Sequence, residues 1–323
     1  REAAELYTSA FGNSSVEGIT TLHNTPSGSV DVVTIDLAGQ RFVLISAGPL
    51  FQLNPSVSFL VACKTKDEVD ALWKKLSEGG SALMEIAEYP FSERYGWLQD
   101  RYGLSWQVMS TGGREIKQRI TPALLFVGDQ CGRAEEAINF YASVFNRSEV
   151  GDIVRYGKGQ EPDTEGSVLH AVFTLEGQDF VAMDSAHEHN FAFNEAISFM
   201  VNCNTQAEID YYWAKLSADP KAEQCGWLKD RYGISWQIVP VALEEMMRTR
   251  DAGKLARRHR RPDQHRCHQH HADRLQANHD GDDDQRGEQH AQHVRVEAEA
   301  GRERCIERQQ LELHARPAAV EPY

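Results

Sequence analysis

Apolar residues recur with a helical period in two distant segments of the chain, which begin at residues 3 and 137. Each segment places apolar side chains at positions i, i+3, i+4, i+7 and i+8, namely Ala3, Leu6, Tyr7, Ala10 and Phe11, then Ala137, Phe140, Tyr141, Val144 and Phe145. This spacing is typical of an amphipathic helix that packs one face on a core. The sequence therefore predicts one such helix in each half of the chain.

A second helix in each half is predicted by a capping signal. Thr65 is followed by Glu68, and Thr205 by Glu208, a spacing at which both side chains can satisfy free N–H groups at the start of a helix. An apolar stripe follows each signal, formed by Val69, Leu72, Trp73 and Leu76 and by Ile209, Tyr212, Trp213 and Leu216.

Strands are predicted between these helices, where short segments rich in β-branched and aromatic residues are bounded by turn residues. Examples are SVLHAVFTLEG, QDFVAMDS and AISFMVNC, between residues 167 and 203. The Asp-Arg-Tyr-Gly motifs at Asp100 and Asp230 suit a type I turn, with Asp first and Gly fourth. The order strand, helix and three strands occurs about twice in each half, which predicts an α+β fold.

An internal repeat organises the chain. The segment GWLQDRYGLSWQVM (96–109) returns as GWLKDRYGISWQIV (226–239) with ten of fourteen positions identical, and residues 57–76 return as 197–216. We predict two related domains at residues 1–112 and 120–245, with a polar linker at 113–119, a division that suits 323 residues. The strand ITPALLFVG from Ile120 has no counterpart before Arg1, so we expect the first domain to be truncated at its N-terminus.

Composition narrows the set of partners and the location. The chain has 34 basic and 48 acidic residues and a net charge of -14, which repels phosphate backbones, so we expect neither nucleic acid nor a membrane as a partner. No apolar run approaches the roughly 18–20 residues that span a bilayer. The six cysteines show no close pairs before residue 260, which favours a reducing, cytoplasmic location.

Residues 251–323 differ in composition from the rest of the chain. Nine of the thirteen histidines lie beyond residue 256, whereas large apolar residues are scarce there. A segment of this kind cannot build a core, so we expect a disordered tail. An out-of-frame translation product would show the same abrupt change, and the sequence leaves the origin of the tail open.

The repeated segments resemble a known family. ITPALLFVGDQ followed by AEEAINFYASVF, then GQDFVAMD, AISFMVNCNTQAEIDYYWAKLS and CGWLKDRYGISWQIVP, are similar to the vicinal oxygen chelate superfamily of glyoxalases, bleomycin resistance proteins and dioxygenases. Within it they resemble the PhnB-like group, also labelled demethylubiquinone methyltransferase-like. The resemblance implies two tandem domains, each of paired βαβββ modules that curl into a cup for a small ligand. It also implies a longer hairpin in repeat one.

The resemblance also implies where metal ligands would lie in the glyoxalase-type enzymes of the superfamily. Gln107 and Gln237 stand where a Glu would be expected, Ser58 and Ser198 stand near another ligand position, and Asp184 is the one remaining candidate. Hydroxyl and amide oxygens bind Zn, Ni or Fe weakly, so we expect neither a metal nor a cofactor. No glycine-rich loop follows a strand in the way that a nucleoside cofactor would need.

The candidate ligand-binding residues are therefore His170, Asp184, Ser198, Gln237, Ser58 and Gln107. His170 could act as a base or donor if it faces the cup, and the two glutamines could orient a polar ligand, but each could equally be an ordinary structural residue. We predict a PhnB-like protein that binds a small molecule without a metal centre. The alternatives are a metal-dependent lyase, isomerase or dioxygenase, the methyltransferase of the family label, or a scaffold whose cup is filled by its own side chains. The sequence identifies no catalytic residue, and it leaves enzymatic activity and a homodimer open.

Overall fold

The computed structural model describes residues 1–25, 28–46, 48 and 51–241. Repeat one contains α1 (Glu2–Ala10), β1 (Ser14–Thr25), β2 (Gly28–Leu37), β3 (Gln40–Ile45), β4 (Val57–Cys63), α2 (Lys66–Leu76), β5 (Ser81–Tyr89), β6 (Ser92–Gln99) and β7 (Ser105–Ser110). The predicted tail at 251–323 and the last residues of the predicted second domain, 242–245, lie outside the described residues.

Repeat two follows with a similar order of elements, but it begins with an additional strand and has two strands after its second helix where repeat one has three. It contains β8 (Ile120–Phe126), a single 3-10 turn (Gly128–Gln130), α3 (Ala134–Val144), β9 (Glu149–Arg155), β10 (Val168–Leu175), β11 (Gln178–Asp184), β12 (Ser198–Cys203), α4 (Gln206–Leu216), β13 (Trp227–Lys229) and β14 (Ser235–Pro240). The predicted α+β class is confirmed. Among the described residues, no helix is both long and apolar enough to cross a membrane.

All four predicted helices form, and the capping signals act at α2 and α4. Thr205 accepts a hydrogen bond from the backbone N–H of Glu208, whose carboxylate accepts from the Thr205 N–H, which completes a capping box. At α2 the Thr65 hydroxyl accepts from the Glu68 N–H at 3.2 Å, but the Glu68 carboxylate accepts instead from the N–H of Lys64 at 2.6 Å.

Strands from both repeats share one sheet. The largest sheet has eight strands in the order β5-β6-β7-β4-β8-β11-β10-β9, so it joins the second half of repeat one to the first half of repeat two. The outer halves form separate three-stranded sheets, β1-β2-β3 and β12-β14-β13. This differs from the expectation that the strands of each repeat would curl together into one cup. The boundaries at 1–112 and 120–245 as independent domains stay a prediction.

The short linker is long enough for this crossed pairing. Both β7 and β8 lie beside β4, so residues 113–119 need to cover only two inter-strand spacings, about 10 Å. Seven residues reach further than that. The pairing of β4 with β8 begins where the linker ends, because the N–H of Ala62 donates to the carbonyl of Arg119 at 2.9 Å.

Although the sheets do not, the hydrophobic cores follow the repeats, except that Val57 and Ile120 each pack in the core of the other repeat. One core joins α1 and α2 around Trp106, and the other joins α3 and α4 around Trp236. In the second core the Asp230 carboxylate accepts four hydrogen bonds, from the Tyr141 hydroxyl (2.6 Å), the Trp236 indole (2.8 Å) and the N–H groups of Tyr232 (2.9 Å) and Ile234 (3.0 Å). The equivalent aspartate of repeat one makes the same four contacts.

Candidate functional site

Ser58 and Gln107 lie together on the eight-stranded sheet, on the face away from the helices. The Gln107 amide nitrogen donates to the Ser58 hydroxyl at 2.8 Å, and the Tyr95 hydroxyl donates to the Gln107 amide oxygen at 2.8 Å. All three side chains are buried. Burial raises the pKa of Tyr95, so the phenol keeps its proton and remains a donor.

Another side-chain hydrogen bond lies on the same face of the sheet. The indole N–H of Trp97 donates to the buried Ser105 hydroxyl at 2.8 Å. Tyr89 and Phe91 pack on the Tyr95 ring with centroid distances of 5.5 and 5.0 Å. In repeat one, therefore, the Gln107 amide and the Trp97 indole are both hydrogen-bonded to neighbouring side chains of the same repeat.

The equivalent residues of repeat two are arranged differently. Gln237 donates its amide N–H to the Ser198 hydroxyl at 2.6 Å, as Gln107 does to Ser58. Cys225 takes the place of Tyr95 in the repeat, and no described group donates to the Gln237 amide oxygen. Among the described residues, the amide oxygen of Gln237 thus has no counterpart of the Tyr95 donor.

The Ser235 hydroxyl also differs from its counterpart in repeat one. It is buried and has no hydrogen-bond partner in the described part of the chain, whereas its repeat-one counterpart, Ser105, accepts from Trp97. The Trp227 indole, the counterpart of Trp97, makes no hydrogen bond to a described group. Buried polar groups are normally paired, so this hydroxyl requires an explanation.

The polar groups of repeat two line a large cavity. The cavity measures about 1980 Å³, and Ser198, Ser235, Gln237 and Trp227 form part of its wall. Across the described residues, the two buried side-chain polar atoms without a partner are Ser235 Oγ and Gln40 Oε1, and both residues line this cavity. Other parts of the wall are aromatic, from Phe42, Phe59, Phe180, Phe199, Trp106 and Trp236.

His170 lies on another part of the fold. It is on β10, next to Ala171, which points into the core, so the imidazole lies on the opposite face of the eight-stranded sheet. Burial lowers the pKa of His170, and no described group hydrogen-bonds its ring. The sheet crossing separates His170 from Ser198 and Gln237, which the sequence had grouped with it in one cup.

Asp184 faces the helices. Its carboxylate accepts hydrogen bonds from the N–H groups of Gly132 (2.8 Å), Ala134 (3.2 Å) and Val168 (2.9 Å), which fixes the start of α3 against the sheet. Burial raises the pKa of Asp184, while the backbone bonds act in the opposite direction. The geometry gives Asp184 a structural role in positioning α3, and its assignment to a ligand site stays a prediction that these contacts do not favour.

The donor set does not fit a glyoxalase-type metal. The side chains at the predicted ligand positions are the paired hydroxyl and amide of Ser58 and Gln107, and those of Ser198 and Gln237. Within the described ranges, no group of three or more His, Cys, Asp or Glu side chains is placed to hold a metal ion. Divalent transition metals need imidazole, thiolate or carboxylate ligands, and these neutral oxygens are poor substitutes.

Sequence reasoning missed Tyr95, Ser105 and Ser235 as members of these two sites. The signal that could have identified them is the exchange of Tyr95 for Cys225 at equivalent positions of the repeat. An aromatic donor in one copy and a cysteine in the other indicate that the two copies of the glutamine have different surroundings.

The comparisons with known proteins bear on both repeats. A family model described as 3-demethylubiquinone-9 3-methyltransferase matches residues 1–109 and 118–239. A PhnB protein from Bacillus cereus is 36% identical over 34% of this chain and 89% of its own, with a TM-score of 0.33. Glyoxalase I from Zea mays is 11% identical over 77% of this chain and 92% of its own, with a TM-score of 0.48. No curated protein matches the chain.

The family model covers one repeat and then the other, and it spans well over half of the sequence. Its two matches coincide with the two copies of the motifs quoted above. The chain therefore belongs to the 3-demethylubiquinone-9 3-methyltransferase family, the PhnB-like group of the vicinal oxygen chelate superfamily, with two tandem copies of the family domain.

Proposed function

We propose that the protein binds a small neutral molecule, without a metal, at the wall formed by Ser198, Ser235 and Gln237. The observation that carries this proposal is the amide oxygen of Gln237, which accepts from no described group, whereas its repeat-one counterpart accepts from the Tyr95 hydroxyl. A ligand with an N–H or O–H group would donate to this oxygen, as the Tyr95 hydroxyl does to Gln107. The buried Ser235 hydroxyl would gain a partner in the same complex.

The surroundings indicate the chemistry of the ligand. Met200 and Trp227 lie opposite Gln237 on the neighbouring strands and supply apolar wall, as is usual in small-molecule sites with a few polar groups that set orientation. Glu195 also lines the cavity, but its carboxylate is paired with Lys229 at 2.5 Å. A neutral molecule with an aromatic or aliphatic body and one or two hydrogen-bonding groups suits this wall.

The alternative functions considered from the sequence, a metal-dependent enzyme and a methyltransferase, need residues that this wall does not have. A metal-dependent lyase, isomerase or dioxygenase would need anionic or imidazole ligands where Ser198 and Gln237 stand. The methyltransferase of the family label would need a site for a nucleoside cofactor, and no observation points to one. We therefore favour metal-free binding.

A binding screen tests the proposal. A library of small neutral molecules is screened against the full chain by ligand-detected NMR, and hits are titrated while the fluorescence of Trp227 and the other tryptophans is followed. We expect Gln237→Ala to weaken a hit by roughly three- to tenfold, the effect of losing one hydrogen bond. Gln107→Ala is the matched control, and it should leave the affinity unchanged.

Two results would contradict the proposal. The first is a set of hits whose affinity responds to Gln107→Ala and not to Gln237→Ala. The second is a stoichiometric transition metal that untagged protein retains through dialysis and that the hits require, which would support the metal-dependent alternative instead.

A further inference from the structure

The side chain of Tyr95 shows how a phenol is bound at the Gln107 amide of repeat one. The Tyr95 hydroxyl donates to the amide oxygen of Gln107 at 2.8 Å, and the amide nitrogen donates to the Ser58 hydroxyl at 2.8 Å. The ring lies edge-on to Tyr89 and Phe91, at interplanar angles of 85° and 77°. One hydroxyl and one flat apolar ring thus complete the surroundings of this amide.

The same frame is present around Gln237 in repeat two. Its amide nitrogen donates to the Ser198 hydroxyl at 2.6 Å, and Met200 and Trp227 lie opposite it on the two neighbouring strands. The repeat-one counterparts of these three residues stand in the same relation to Gln107, and they are Ser58, Leu60 and Trp97. The two amides are therefore held in equivalent places by equivalent strands.

The repeats differ in the segment that carries Tyr95. Repeat one has nineteen residues, 77–95, between its two repeated segments, whereas repeat two has nine, 217–225. The additional residues build the β5–β6 hairpin, and Tyr95 lies on β6, while the equivalent strand of repeat two, β13, begins at Trp227. Among the described residues, no tyrosine hydroxyl donates to the amide oxygen of Gln237.

The place equivalent to the Tyr95 ring lies on the β13 side of β14. The sheet order is β12-β14-β13, so the whole of β14 separates this place from the outer edge of β12. Tyr95 and Trp97 are two residues apart on β6 and share one face of the sheet. A ring bound at Gln237 would therefore lie beside Trp227, which lines the cavity.

We propose that the molecule bound at Gln237 is a neutral phenol, whose hydroxyl donates to the Gln237 amide oxygen as the Tyr95 hydroxyl donates to that of Gln107. This inference rests on the proposed function, because it assigns a ligand class to the same wall. A phenol combines a flat apolar ring with one hydroxyl donor. The phenolate has no proton to donate to an amide oxygen, so the protonated form is the one that binds.

Three small probes test the inference on the full chain. The first, p-cresol, carries the phenol, whereas p-xylene has a methyl group in place of the hydroxyl and p-toluamide has amide N–H donors. Affinities are measured by isothermal titration calorimetry and ligand-detected NMR. We expect p-cresol to bind roughly three- to tenfold more tightly than p-xylene, the gain from one hydrogen bond. Gln237→Leu should abolish this preference, whereas Gln237→Glu keeps an acceptor oxygen and should retain it.

A variant of repeat one provides a second test. Tyr95→Ala removes the phenol from the Gln107 amide, so a second p-cresol site should appear and the number bound per chain should rise from one to two. The additional site should be absent from the double variant Tyr95→Ala/Gln107→Leu. Melting midpoints establish that each variant is folded, and the wild-type comparison of the three probes decides the inference if Tyr95→Ala does not fold.

The outcomes separate this inference from the proposed function. The phenol assignment is overturned if p-cresol binds the wild-type chain no more tightly than p-xylene, or if its preference survives Gln237→Leu. If p-toluamide binds and responds to Gln237→Leu while p-cresol does not, the phenol assignment fails and the small-molecule site stands. If no probe binds and the library screen yields no molecule that depends on Gln237, both proposals are overturned.

Discussion

Asn54 and Asn194 clamp the two repeats together by a reciprocal pair of hydrogen bonds. The Asn54 side-chain amide donates to the carbonyl of Ala192 at 3.0 Å, and the Asn194 amide donates to the carbonyl of Gln52 at 2.9 Å. The two asparagines occupy equivalent positions in the repeat, so each reaches into the loop that carries the other. This reciprocal pair of bonds shows that the two repeats are related by an approximate two-fold axis at this point.

This symmetry predicts equal effects of the two substitutions. Asn54→Ala and Asn194→Ala should each lower the free energy of unfolding by about 1 kcal/mol, because each removes a bond between the repeats. Urea unfolding followed by circular dichroism measures both. Asn139→Ala is the control, since its amide bonds only the Glu135 carbonyl within α3, and alanine favours a helix there. Strongly unequal losses from Asn54→Ala and Asn194→Ala would contradict the reciprocal clamp.

The hydroxyl of Tyr141 should matter more than that of an exposed tyrosine. Tyr141→Phe leaves the buried Asp230 carboxylate without its 2.6 Å donor, so we expect a loss of about 1–3 kcal/mol in unfolding free energy. The control is Tyr211→Phe. The hydroxyl of the exposed Tyr211 donates to the Val144 carbonyl at 3.0 Å, and its loss should cost less than about 1 kcal/mol. Equal losses in the two variants would show that Asp230 does not depend on the phenol.

The protonation of His170 should make stability depend on pH below neutrality. Burial lowers the pKa of His170 from its ordinary value of 6.5, so below pH 6.5 the unfolded chain binds a proton that the folded chain does not. Stability is then full above pH 6.5 and decreases as the pH falls towards the folded-state pKa. We expect His170→Gln to reduce the loss of unfolding free energy between pH 7.5 and 5.5. An identical loss in the variant would show that the imidazole is not involved.

The equivalent thiols of Cys63 and Cys203 should be unreactive in the folded protein. Both are buried, and burial raises the pKa of each to about 11, so the thiolate is scarce at pH 8. Iodoacetamide labelling followed by peptide mapping should modify both only after unfolding. Cys131, which is half-buried, is the internal reference and should react sooner. Rapid native labelling of Cys203 would indicate that the β12 end opens.

Much of the architecture was set by local pattern in the sequence. The apolar period predicted α1 and α3, and the Thr-x-x-Glu spacing predicted the starts of α2 and α4. The repeat also assigned Gln107 and Gln237, and Ser58 and Ser198, to equivalent positions of the two copies, and each glutamine donates to its serine. These features depend on residues that are close in sequence or related by the repeat, so they can be inferred without the tertiary fold.

Only the tertiary structure decided which modules share a sheet. Alternation along β4 reports which face is buried, but it does not identify the strand that pairs with its free edge, because backbone N–H and C=O groups are the same in every strand. The pairing of β4 with β8 places His170 and Gln237 in different sheets. The Asp184 carboxylate accepts hydrogen bonds from three backbone N–H groups, which the sequence pattern could not show. The contact itself also needed the structure, since the Tyr95 hydroxyl of β6 donates to the amide oxygen of Gln107 and no described group donates to that of Gln237.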